Sequence, residues 1–294
     1  MKVLWVCNIM LPSIAQHIGR KASNREGWLT GLAERFQKDM GINQITLGVC
    51  FPINHSTDNI KGTVGGITYY GFYENVAKET EYEKTLDASM EKILADFQPD
   101  MVHIFGTEFP HTLAAVKAFS NPNRTLIGMQ GVCAACAEHY MDGIPSYVQY
   151  RYTLRDFLKK DNIANQQKKF QIRADREAEA LQNVNHVTGR TQLDKEVTEK
   201  IHPGIQYHFM NETLRSNFYQ ARWDVQKCRR HTIFISQGDY PLKGFHYFLQ
   251  ALPCIRKVYP DTRVFVTGNQ ITKYDTLKSK LKISSYGKYL LQLM

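Results

Sequence analysis

The stretch Thr232-Ile-Phe-Ile-Ser-Gln-Gly-Asp-Tyr-Pro-Leu-Lys-Gly-Phe-His246 decides the fold class. Its opening, Thr232 to Ser236, is a short apolar run of the kind that forms a buried strand. A glycine-bearing loop follows, and Lys243-Gly244 opens a segment, Gly244 to Val258, that reads as a helix. Arg263 to Thr267 is again strand-like. Strand, loop, helix and strand in that order predict a β-α-β unit with parallel pairing. Ligands of such sheets sit beyond the carboxyl ends of the strands, and Lys243 carries its charge at a strand-loop-helix junction of this kind.

The same alternation recurs towards the N-terminus. Lys2 to Cys7, Ile42 to Cys50, Gly66 to Phe72, Met101 to Phe105, Thr125 to Gln130 and His186 to Thr188 read as strands. Between them, Ser23 to Asp39 carries Trp28, Leu29, Leu32 and Phe36 at helical spacing, with Gly41 as its C-cap. Glu79 to Phe97 carries Tyr82, Leu86, Met90, Ile93, Leu94 and Phe97 in the same way, and Pro99 marks its stop. The pattern predicts an α/β fold with a Rossmann-type parallel sheet. The segments just after its strands, Asn8 to Gly19, Gly106 to His111 and Gln130 to His139, are where chemistry belongs.

A polar, charged segment, Tyr219 to His231, precedes the new cycle and sets the expected domain boundary: residues 1–227 as an N-terminal domain and 228–294 as a second. Two further helical stretches, Tyr274 to Leu281 and Tyr286 to Met294, close the chain. The second part is shorter than the roughly 100 to 150 residues of a typical domain. It is therefore expected to be an incomplete Rossmann-type domain.

Composition narrows the function classes. With 43% hydrophobic and 22% charged residues over 294, the chain is globular rather than disordered or collagen-like. No apolar run approaches the roughly 20 residues of a membrane-spanning helix. Val3 to Cys7 imitates a secretory signal, but Asn8 splits the apolar core, so a soluble, at most peripheral, protein is expected. Six scattered cysteines suit a reducing cytoplasm. Cys133-Ala-Ala-Cys136 has redox or zinc spacing without a second pair, and reads as ordinary buried thiols.

The net charge of +9 generically suits nucleic acid. No reader motif accompanies it, so no nucleic-acid partner is expected. Pro145 to Leu181 places Arg151, Arg155, Lys159, Lys160, Lys168, Lys169, Arg173 and Arg176 beside Tyr147, Tyr150, Leu154, Phe157 and Leu158. That face reads either as solvated or as a peripheral contact with anionic lipid at the inner side of a membrane. There is no Asp-x-Asp pair to hold a divalent ion on a sugar diphosphate, so no metal cofactor is expected. The G-x-G-x-x-G, P-loop and G-x-S-x-G motifs are also absent.

The segment Thr232 to His246 resembles the opening of the donor domain in family-4 glycosyltransferases of the GT-B fold. Asn24-Arg-Glu-Gly-Trp-Leu29, Pro99-Asp-Met-Val-His-Ile-Phe-Gly106 with Glu108, and Val187-Thr-Gly-Arg-Thr191 resemble the acceptor domain of the same family, in its bacterial polysaccharide and cell-envelope branch. The resemblance implies a retaining transfer of a sugar from a nucleotide-diphosphate donor to a glycan or lipid-linked acceptor. Lys243, with Gly238 and Gly244, would stabilise the departing diphosphate at a helix N-terminus without metal. Gln237 and Gly27 would complete the donor side.

Four departures qualify this resemblance. Gln237 stands where the family usually has an arginine, and Glu26 precedes Gly27 where Gly-Gly is common. Gln130 replaces a histidine over the reacting sugar and has no proton-accepting role. No glutamate follows Glu212, so the family's Glu-x7-Glu pair is missing. Glu26/Glu34 and Glu83/Glu91 share that spacing only because eight residues recur on a helix face.

Several residues keep two readings. His103 lies in an apolar strand, as a satisfied core histidine or a sugar contact; Glu108 and His111, beyond that strand, are better placed to meet an acceptor. Arg190 reaches either phosphate or an acid such as Asp194. His139 and Gln130 bracket a run of small residues, Gly131 to Ala137, that either closes over an acceptor or packs. The non-catalytic alternative for the whole chain is a truncated GT-B chain acting as a glycan- or partner-binding module.

Overall fold

Strand β1 (Lys2–Val6) is central because it is apolar on both faces: Leu4, Trp5 and Val6 are at most 1% exposed. Around it lie β2 (Thr46–Ile53), β3 (Lys61–Val64), β4 (Ile67–Tyr73), β5 (Met101–Phe105), β6 (Thr125–Gly128), β7 (His186–Gly189) and β8 (Gln206–Phe209). The sheet order is β3-β4-β2-β1-β5-β6-β7-β8, and every pairing is parallel except β3 with β4. This computed structural model describes residues 1–22, 27–54 and 60–294.

On one face of the sheet the Trp5 ring meets Phe36 and Phe105 edge-on, with centroids at 5.0 and 5.2 Å, and Leu29 is buried in the same core. Elsewhere the sheet receives the helix Thr85–Phe97, which buries Leu86, Met90, Ile93 and Phe97. Gly48 in β2 makes room for that last ring: a Cβ there would lie 2.7 Å from it. Gly48→Ala is therefore expected to destabilise the fold by about 1–3 kcal/mol, the usual cost of overpacking. Denaturant melts should show a lower midpoint, and an unchanged midpoint would contradict this packing.

The chain divides into two compact units, Met1–Ala134 with Ile172–Arg222, and Ala135–Gln171 with Trp223–Met294. In the second, β9 (Thr232–Ile235) and β10 (Arg263–Val266) pair in parallel around the helix Phe245–Val258. That is the β-α-β unit expected from the sequence. Its core joins Tyr140, Ile144, Val148 and Ile163 to Phe245, Leu249, Tyr286, Tyr289 and Leu290. Residues 135–171, expected on the N-terminal side of a boundary at 227, thus pack with the second unit. Asp156, fully buried, accepts from Arg155 at 2.8 Å and from the Ser285 backbone N–H at 2.7 Å.

Other differences have local causes. The edge strands β3 and β8 read KGTV and QYHF, too short and polar to stand out. The helix Gly27–Asn43 runs past Gly41, and Gln44 takes the left-handed conformation (φ 50°), which delays β2 to Thr46. The helix expected from Glu79 begins at Thr85, after a turn at Val76–Lys78 that the Asn75 side chain caps. Ser23 to Glu26, including Asn24, Arg25 and Glu26 of the first resemblance segment, lie outside the described residues. Among the described residues no helix is long and apolar enough to cross a membrane.

Candidate functional site

At the carboxyl ends of β1, β4 and β5 four side chains form a continuous hydrogen-bonded chain. Gly106 ends β5 in the left-handed region (φ 89°) and turns the backbone toward the helix Pro110–Phe119. That helix has no side-chain cap from Phe109. Glu74, just after β4, takes over: its Oε1 accepts the His111 backbone N–H at 3.2 Å, and its Oε2 lies 2.5 Å from His111 Nδ1. A carboxylate at a helix N-terminus also meets the positive end of the helix dipole. His111 Nε2 lies 2.9 Å from Asn8 Oδ1, and Asn8 Nδ2 donates to Glu108 Oε2 at 3.2 Å. His111 is 0% and Glu74 5% exposed, whereas Glu108 is half-buried.

A second buried carboxylate supports the next loop. Glu177 accepts from Thr107 Oγ1, from Cys133 N at 3.2 Å and from Ala134 N at 3.4 Å. Burial pushes its carboxyl up, and those donors pull it back. It thereby caps the helix Cys133–His139, so the small-residue run at 133–137 is helical rather than a closing loop. Cys133 is buried and Cys136 half-buried, and both are in the thiol form. Burial also pushes Cys7 and Cys50 above the ordinary thiol value.

Beyond β5, β6 and β7 lies an open cavity of about 60 Å³. Trp28 and Phe105, with centroids 5.4 Å apart, give it an aromatic wall. Gln130, Arg190, Asn211 and Glu212 give it a polar one. Arg190 pairs with Glu212 at 2.7 Å and donates to the Gln130 carbonyl at 3.2 Å. Asp194, offered by the sequence as its partner, instead accepts the backbone N–H groups of Arg190 and Thr191, both at 2.9 Å, in a capping box.

His103 sits behind this cavity, 8% exposed, with its ring 4.0 Å from Phe105. Its Nε2 is buried without a hydrogen-bond partner, so it is a core histidine but not a satisfied one. Burial alone pulls its pKa from the ordinary value down to about 3.

Gly27 opens its helix under the Arg215 guanidinium, where a Cβ would lie 3.1 Å from Arg215 Cζ. Thr213 Oγ1 ties the same segment to the Trp28 carbonyl at 2.6 Å.

In the second unit the loop after β9 is tightly packed. A Cβ on Gly238 would lie 3.0 Å from Phe245 and 3.1 Å from Val266, so the loop backs tightly onto the helix and β10. Gly244 takes φ 66° between the turn Pro241–Lys243 and the helix. Lys243 is exposed, its Nζ 5.3 Å from the Tyr240 ring centre, and Gln237 is half-buried. Asp239 Oδ2 accepts from Asn269 at 2.7 Å, which places a carboxylate in the same loop. His246 is held between the Tyr286 hydroxyl at 3.2 Å and the Asp142 carbonyl at 3.1 Å. His139 is exposed and pairs with Asp142 at 2.8 Å.

The structure thus joins Glu108 to His111, and Gln130 to Arg190, within the first unit. It gathers Gln237, Gly238, Lys243 and Gly244 in one loop of the second. Sequence reading missed Glu74 and Glu177 and did not single out Asn8. The signal for Asn8 and Glu74 is a polar residue directly after a strand of a parallel sheet. Among the described residues no group of three or more His, Cys, Asp or Glu side chains is placed to hold a metal ion.

No protein-family model matches the sequence, and no curated protein does. Solved structures are similar in fold. Sucrose-phosphate synthase (tll1590) from Thermosynechococcus elongatus aligns at 9% identity and a TM-score of 0.58, covering 100% of this chain and 68% of that one. Trehalose-6-phosphate synthase, OtsA, aligns at 11% identity and 0.53, covering 100% and 69%. A structure described as trehalose-6-phosphate from E. coli bound with UDP-2-fluoro glucose aligns at 11% and 0.51, covering 99% and 68%. At such identities the likeness concerns fold alone, and the fold class is the one expected: GT-B-like, with a Rossmann-type parallel sheet of eight strands and a much smaller second sheet of two among the described residues.

Proposed function

We propose that this chain is a GT-B-derived sugar-binding module that holds a glycan or lipid-linked sugar at the carboxyl edge of its first sheet. The observation that carries this reading is the cavity that faces Trp28 and Phe105 with Gln130, Arg190, Asn211 and Glu212. An aromatic wall suits the apolar face of a sugar laid across the open mouth of the cavity, and planar polar groups suit its hydroxyls. Glu108, on the same edge, supplies a carboxylate, and His103 contributes packing. Gln130→Ala is expected to weaken binding of a soluble oligosaccharide five- to tenfold, about 1 kcal/mol for one hydrogen bond. Unchanged affinity in a calorimetric titration would remove Gln130 from the site.

A second reading, favoured by the loop of Gly238, Lys243 and Gly244, is a retaining family-4 glycosyltransferase of polysaccharide or envelope synthesis. Here residues 1–227 serve the acceptor and 228–294 the nucleotide-diphosphate sugar, with Gln237, Gly27 and Arg190 on the donor side and His111 and His139 on the acceptor side. The exposed Lys243 ammonium would neutralise the diphosphate. Lys243→Ala then weakens UDP binding by about 1–3 kcal/mol, the range for a charge-assisted hydrogen bond. Acceptor-dependent release of UDP from UDP-glucose would establish this reading over the first. The first ranks ahead because Gln237 brings no charge and Asp239 brings an opposing one.

The protein is further read as cytoplasmic and peripheral. Exposed Tyr147, Tyr150, Leu154, Phe157 and Leu158, beside exposed Lys159 and Lys160, support contact with an anionic inner membrane face.

A further inference from the structure

The chain Glu74, His111, Asn8 and Glu108 obeys a proton count. With Asn8 Nδ2 donating to Glu108, Asn8 Oδ1 accepts, so His111 Nε2 carries a hydrogen. A proton then also lies between His111 Nδ1 and Glu74 Oε2, because two acceptors do not face each other at 2.5 Å. Turning the Asn8 amide reverses the polarity. Nδ2 then donates to His111 Nε2, Nδ1–H to Glu74, and Glu108 holds a hydrogen that it donates to Oδ1.

Both arrangements contain the same number of protons: one more than two carboxylates and a neutral imidazole. In the first that proton belongs to the His111–Glu74 end, and in the second to Glu108. The two ends meet through the amide of Asn8, which makes that residue the link.

We propose that Glu74, His111 and Asn8 are positioning residues that share one proton with Glu108 and so set whether Glu108 meets a sugar hydroxyl as hydrogen-bond acceptor or as donor. When the proton sits at His111, Glu108 accepts from a hydroxyl. When it sits on Glu108, Glu108 donates to a hydroxyl or ring oxygen. The preference of the site among sugar epimers then follows the position of one proton.

Several charged groups among the described residues surround the chain. Arg173 donates to the Glu108 carbonyl at 3.0 Å. Arg176 lies near Glu74 with its guanidinium on the Glu79 and Thr80 carbonyls at 2.8 and 3.0 Å, and Glu177 lies near Glu108. Phe72 and Phe109 cover the imidazole, with centroids at 5.3 and 5.7 Å. Among the described residues, Glu74 is the carboxylate that meets the His111 ring directly.

The inference rests on the reading of Glu108 as a sugar contact, but its test reads protonation alone. In an NMR titration of the intact protein, the His111 ring nitrogens and the Glu108 carboxylate should share apparent midpoints, as coupled groups do. Asn8→Leu should separate them. Glu108→Gln, isosteric at a half-buried site and safe for folding, should move the His111 midpoint down by about one pH unit or more. Exposed His139 serves as the internal control. Independent titration of His111 and Glu108 in the unmodified protein, or a His111 midpoint indifferent to Glu108→Gln, overturns the shared proton. Failure to bind oligosaccharide with the coupling intact would instead overturn the sugar-site reading.

Discussion

Acidification from pH 7 to pH 4 is expected to remove about 3 kcal/mol of stability through His103 alone. In the folded protein burial holds its pKa at about 3, whereas the unfolded chain binds the same proton near the ordinary value of about 6.5. Between those values the unfolded state carries more protons, so each pH unit of acidification costs about 1.4 kcal/mol. The contribution is fully present above about pH 6.5 and is lost as pH falls toward 3. The cause is the unpartnered Nε2: with no acceptor beside it, an imidazolium there has nothing to replace water. His103→Leu should flatten this part of the stability profile and leave stability at pH 7 nearly unchanged, since it removes a buried polar atom without removing a partner. Parallel acid slopes in the two proteins, measured by urea titration at pH 4 to 7, would contradict the assignment.

Removing Glu74 is expected to cost about 2–6 kcal/mol, because each buried donor left without an acceptor costs about 1–3 kcal/mol. Two groups lose their acceptor at once: His111 Nδ1 and the backbone N–H that opens the helix Pro110–Phe119. Neither reaches water, because His111 is 0% exposed. Glu74→Gln should be milder than Glu74→Ala, since an amide oxygen still serves the backbone donor. Replacing Glu74 and His111 together by apolar residues should recover part of the loss. A Glu74→Ala melting curve within 1 kcal/mol of the unmodified protein would mean that the pair carries little of the fold.

The particular residues show how far sequence reading extends. Strands β1, β5 and β6 were legible because burial on two faces requires continuous apolar runs, as in Met101 to Phe105. Strands β9 and β10 carry similar runs but are not buried strands, since Phe234 and Phe265 are exposed. The edge strands β3 and β8 bury little and carry no such run. The order strand, loop and helix around Gly238 and Gly244 was legible because a glycine-bearing loop between an apolar run and a helical pattern is a local signal. The capping carboxylates were not. Glu74, Glu177 and Asp156 serve helix starts 37, 44 and 129 positions away, and nothing near a carboxylate in sequence reveals which distant N–H groups it will meet. His103 was ambiguous for a related reason. An apolar strand reveals that its ring is buried, while the missing partner depends on Gly128 and Thr188 of neighbouring strands.

The central claim is that the first sheet's carboxyl edge binds sugar. It is tested most directly by calorimetric titration of the intact protein with a panel of soluble oligosaccharides and with UDP-glucose, alongside Gln130→Ala and Lys243→Ala. The account predicts saturable oligosaccharide binding that weakens in Gln130→Ala and persists in Lys243→Ala. Oligosaccharide binding that ignores Gln130, or an absence of any such binding while UDP-glucose binds through Lys243, would contradict it.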